Sequence, residues 1–190
     1  MKDGLEINKL GEVCEVIGGS TPKTTESSYW DGEHFWITPA ELDGRKYFSS
    51  TSRTLTEEGV KSAHLQLLPK GTVLLSSRAP IGKVAIASVP MYCNQGFKNV
   101  VCSELFHSEY VYQFLYELKD YLNSLGTGAT FKEISKSTTE KIPIPLPPLP
   151  LQQAFAAKIE AIEKQKELVK RSIAEVETLL ASRMQHYFEA

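Results

Sequence analysis

The chain has 190 residues, enough for one core of ordinary size plus a projecting element but not for two independent domains. Its 42% hydrophobic and 23% charged residues exclude a disordered or fibrous polypeptide, and three cysteines without a C-x-x-C pair exclude a disulfide framework or zinc knuckle. The net charge of -2 argues on its face against a polyanionic partner. No run approaches the roughly 20 apolar residues of a membrane span, and MKDGLEINKL lacks a signal-type apolar stretch, so a cytoplasmic protein is expected.

In chain order, residues 1–141 read as short elements separated by turn signals. VCEVIGG, HFWITPAEL, TVLLSS, KVAIASV and FKNVVCS have the β-branched content of strands and are bounded by Gly, Pro, Ser and Asn. A helix is predicted over about residues 108–125, where Val111, Leu115, Leu118 and Leu122 recur at spacings of four, three and four. No βαβ alternation appears, so the fold class is α+β, a mixed β-rich head. In residues 142–150, IPIPLPPLP, proline fills five of nine positions, which predicts a stiff extended connector.

Residues 151–188 then read as one helix free of Gly and Pro, about 55 Å long at 1.5 Å per residue. Phe155, Ile159, Ile162, Val169, Ile173, Val176, Leu180 and Tyr187 follow four-three spacing, with Lys166 and Arg183 where the row is broken. Alone, such a helix would leave its apolar row in water. A second copy packed antiparallel as a coiled coil would cover it through a two-fold interface; the alternative is packing against its own head.

Chemistry-bearing motifs are missing. No glycine-rich nucleoside loop, Walker loop or G-x-S-x-G occurs, and Pro147-Pro148 follows Leu146, with no amide to hold a flipped base. Glu41, Asp43 and Lys46 are the nearest approach to a metal-dependent nuclease, and His34, His64, His107 and His186 lack metal-ligand spacing. No catalytic residue, metal or cofactor is expected.

Charge distribution is more informative than its total. From Gly59 to Ser103 there is no Asp or Glu, yet Lys61, Lys70, Arg78, Lys83 and Lys98 fall there, a local charge of +5. A face cleared of acids suits a polyanion; a buried sheet that needs few acids is the alternative. Polar loops coincide with this window. Ser20, Thr21, Lys23 and Thr24 lie in GGSTPKTTESSYW; Ser77, Arg78 and Lys83 in LLSSRAPIGKVA; Asn94, Gln95 and Lys98 in YCNQGFKNV; Thr127, Thr130 and Lys132 in GTGATFKEIS. Their hydroxyls, amides and cations are the groups that contact phosphates and base edges, so these thirteen are the candidate DNA-binding residues.

Taken in order, KLGEVCEVIGGSTPKT, YWDGEHFWITPAEL, GTVLLSSRAPIGKVAIA, CNQGFKNVV, GTGATFKEIS and KIPIPLPPLPLQQAFAAKIEAIE resemble the specificity subunit of type I restriction-modification systems, over essentially the whole chain. The family's usual Glu-Gln after the prolines is here Gln152-Gln153. The resemblance implies a non-catalytic target-recognition domain that reads double-stranded DNA, followed by a spacer helix. It further implies separate methyltransferase and restriction subunits as partners, the former on the polar helix face near Lys158, Lys164, Lys170 and Arg171. Family members usually carry two heads and two helices. One of each implies a homodimer reading two inverted half-sites, or else half of a longer chain. The competing function is a coiled-coil adaptor that does not touch DNA.

Overall fold

The computed structural model describes residues 4–78, 80–128 and 132–188. The chain divides into two compact units, Met1–Gln152 and Gln153–Ala190. In the first, a five-stranded sheet is built from β2 (Cys14–Gly18), β4 (Tyr47–Phe48), β6 (Val73–Leu75), β7 (Val84–Ala87) and β9 (Lys98–Cys102), in the order β2-β9-β6-β7-β4. All its pairings are antiparallel except β4 with β7. A three-stranded sheet sets β3 (Trp30–Ile37) between β5 (Arg53–Leu55) and β8 (Tyr92–Cys93).

The five-stranded sheet is apolar on both faces, which explains why TVLL and KVAIA read as continuous rather than alternating runs. Val73, Leu75, Val84, Ile86 and Val100 pack with Val111, Leu115, Leu122, Ile134 and Ile142 on one side. The intervening Leu74, Ala85 and Ala87 pack with Ile17, Ile37, Phe48, Met91 and Phe97 on the other. A smaller cluster of Trp30, Trp36, Leu55, Val60 and Tyr92 fills the three-stranded sheet. Cys14 and Cys93 are buried and Cys102 half-buried, so the cysteines serve mainly as small core residues.

Two predicted elements differ in detail. The helix expected over 108–125 is two, α3 (Ser108–Glu117) and α4 (Lys119–Leu125), after the short α1 (Leu10–Val13) and α2 (Glu57–Ser62). Leu118, at φ -86° and ψ 10°, ends one and starts the other, and Leu122 still reaches the core. The proline run expected as a connector belongs to the first unit. After α5 (Lys136–Glu140), β10 (Pro143–Leu146) pairs antiparallel with β1 (Glu6–Lys9). Pro143 and Pro145 are two residues apart, so both missing N–H groups can point away from β1, as proline requires in a two-stranded ribbon. Ile142, before them, and Ile144, between them, are buried.

α6 (Leu149–Phe188) is 40 residues long, about 60 Å. Ile162, Val169, Ile173, Val176, Leu180 and Tyr187 of the predicted row are all exposed, as are Leu168, Leu179 and Met184 beside it. The same row includes Phe155 and the half-buried Ile159.

Candidate nucleic-acid interface

Four of the loops singled out by sequence are tied together by the strands of the head. The loop after β2 is fastened by backbone and indole bonds: Ser20 N donates to Cys93 O at 3.1 Å, Trp36 Nε1 to Ser20 O at 3.2 Å and Trp30 Nε1 to Lys23 O at 3.3 Å. A Cβ at Gly19 would collide with the Cys93 carbonyl, so only glycine permits this approach. The loop's backbone is thereby fixed, while Lys23 and Thr24 project into solvent.

Thr21 Oγ1 donates to Gln95 Oε1 at 2.6 Å, joining that loop to the turn between β8 and β9. Within the turn, Asn94 Oδ1 accepts from Gly96 N at 2.9 Å, and Gly96 O accepts from Ser77 N at 2.8 Å. Ser77 O in turn accepts from Ile134 N at 2.9 Å, which brings in the last loop. There Thr127 and Glu133 exchange backbone bonds, and Arg78 faces Glu133 across an isolated antiparallel bridge.

The geometry sorts the candidates. Lys23, Thr24, Arg78, Gln95, Thr127 and Lys132 are exposed, and Ser20, Thr21 and Asn94 half-buried. Ser77, Lys98 and Lys83 instead make bonds within the head. Ser77 is fully buried, because its backbone joins two loops and its hydroxyl lies beneath Lys98. The Lys98 side chain is only 13% exposed, with its ammonium 3.1 Å from Glu133 and near Ser77 Oγ and Gln95 O, so it braces the loops from below. Lys83, across the turn from Arg78, reaches the Leu42 carbonyl at 2.8 Å and lines a cleft of about 470 Å³ with Tyr112, Tyr116 and Lys119. Thr130 lies outside the described residues.

Sequence reasoning missed two residues. Glu133 stands outside the acid-free window, yet folding returns it to the cations: Arg78 Nε donates to Oε2 at 3.0 Å and Lys98 Nζ to Oε1 at 3.1 Å. Burial pushes its pKa up, but the bonds from Lys98 and Arg78 outweigh this and hold it below the ordinary carboxylate range. Arg53 is the other; its guanidinium carbon sits 3.4 Å from the centre of the Trp30 ring, an exposed cation beside the anchor of the first loop. No local signal marks either residue, since both acquire their neighbours through long-range pairing.

Among the described residues no group of three His, Cys, Asp or Glu is placed to hold a metal, and no helix is long and apolar enough to cross a membrane. The fold is thus an α+β head that presents braced polar and basic loops, joined in sequence to a long helix with an exposed apolar row. The chain belongs to the type I restriction modification DNA specificity domain family, whose model matches residues 2–178. It is 40% identical over 183 residues to the type I restriction enzyme MjaIX specificity subunit of Methanocaldococcus jannaschii, covering 90% of this chain and 42% of that protein. The crystal structure of the HsdS subunit from Thermoanaerobacter tengcongensis superposes with a TM-score of 0.73 at 25% identity, over 98% of this chain and 44% of that one. A chain from a structure describing assembly and conformational transition of the type I R-M system has the same fold, with a TM-score of 0.76 at 24% identity, over 98% of this chain and 45% of that one. The chain therefore spans less than half the length of the relatives it matches.

Proposed function

We propose that this chain is a non-catalytic DNA-recognition module that reads one half of a bipartite site and directs methyltransferase and restriction subunits to it. Family membership supports this reading, and the carrying observation is the knitting of four polar loops into one braced surface. Lys23 and Lys132 suit phosphate contacts, while Arg78, Gln95 and Asn94 have the donors and acceptors that base edges offer. Thr24 and Thr127 add hydroxyls for phosphate oxygens. Two copies would pair antiparallel through α6, placing two identical heads on grooves about one helical turn apart, roughly 34 to 36 Å. Methyltransferase would dock on the polar face of the paired helices.

The test is duplex binding over a salt series. Affinity is expected to fall steeply with salt, and Lys23→Ala or Lys132→Ala should each reduce the log-log slope by about one. Binding that ignores salt, or slopes unchanged in both variants, would remove DNA contact from this surface.

A further inference from the structure

A surface needing only affinity for DNA has no use for a carboxylate among its cations, since it repels phosphate. Glu133 nonetheless stands between Arg78 and Lys98, 3.0 Å from one and 3.1 Å from the other. Its backbone is held as firmly as its side chain: Glu133 and Arg78 face one another across a bridge, Thr127 exchanges two bonds with Glu133, and the next residue bonds Ser77. The backbone bonds fix where the Glu133 side chain starts, and the two ion pairs hold its carboxylate between the cations. Lys98 holds the other carboxylate oxygen from below, so the whole group is fixed before any ligand arrives.

This arrangement has a consequence for Arg78, whose side chain is 46% exposed. An arginine that met only phosphate would need no orienting carboxylate, because phosphate oxygens can accept its fork from several directions. Glu133 takes the Nε donor, which restrains the guanidinium and leaves the Nη nitrogens to other acceptors. Those nitrogens match the O6 and N7 acceptors of guanine, and a guanidinium already restrained loses less freedom on bonding them. We propose that Arg78 reads a guanine in the major groove and that Glu133 is the residue that positions it. The proposal rests on the DNA-recognition reading above and adds to it a base and a division of roles. Affinity is given up to the acid in exchange for discrimination.

The experiment selects bound duplexes from a random pool with the 190-residue chain and with its Arg78→Lys and Glu133→Gln variants, after thermal melting has shown that all three fold. The parent's selected site is expected to contain a fixed G·C pair. Arg78→Lys keeps the charge and should lose preference at that pair alone, by roughly 5- to 150-fold, the value of one bidentate contact. Glu133→Gln should relax the same pair while binding random duplex more tightly, because a repelling charge has gone. A merely structural role for Glu133 would instead weaken all positions together. An unaltered site with either variant, or a uniform loss with Glu133→Gln, overturns the proposal and leaves DNA recognition standing. If the parent selects no site, it is the DNA-recognition reading that fails, and this inference with it.

Discussion

Gln152 shows how much a single residue settles. It is fully buried, accepts from His107 N at 2.9 Å, and donates from one amide nitrogen to Leu105 O at 3.0 Å and Pro147 O at 2.8 Å. A carboxylate could accept the first bond but would set its charge against the two carbonyls. The amide, with both a donor and an acceptor, is thus what this buried position requires. Gln152→Glu is expected to lower stability by about 1–3 kcal/mol at neutral pH, the cost of unpaired buried groups. A buried acid is disfavoured in its ionised form, so its folded-state pKa is raised. The deficit should therefore shrink as pH falls and the acid protonates. Parallel melting curves from pH 7 to pH 4 check this; a constant gap would mean that charge is not the cause. The sequence pattern flagged the position but could not supply its partners, two of which come from residues 45 and 47 positions away.

At the scale of elements, the legible parts were those with strong local periodicity or composition. The five strand segments read from β-branched runs correspond to β2, β3, β6, β7 and β9, and the long helix was evident from residue 151 onward. β4, β5 and β8 have only two or three residues and lack the aliphatic run that marks β6 and β7 at similar length, which is why they do not stand out. β10 was hidden by its prolines, whose tolerance depends on a partner strand more than 130 positions away. The candidate loops were legible by composition, whereas Glu133, the residue that organises two of their cations, was visible only after folding. Within α3 the spacing argument can be tested directly: Leu115 is fully buried against the sheet. Leu115→Ala should cost about 2–5 kcal/mol in chemical denaturation, and a change under ~1 kcal/mol would show that this row does not hold the helix to the core.

For the whole molecule, the head and the helix pose opposite physical problems. The head buries its apolar side chains on both faces of its central sheet and is self-sufficient. The helix keeps Ile173, Val176 and Leu180 at 53%, 65% and 62% exposure. Burying each such side chain is worth about 1.5–3 kcal/mol, so a row of them left in water is a large unused driving force for association. In the antiparallel pairing proposed above, every row position occurs twice in the interface, and one substitution enters it two times over. Ile173→Asp would then bury two unpaired carboxylates and should convert dimers to monomers by light scattering. Because the head has its own core, the monomer should keep the parent's head stability and its contacts to a single half-site. It should lose the affinity gained from linking two half-sites, which can reach 10²–10⁴-fold. A variant that remains dimeric would place the interface elsewhere. One that turns monomeric yet binds the full inverted site as tightly as the parent would separate helix pairing from recognition.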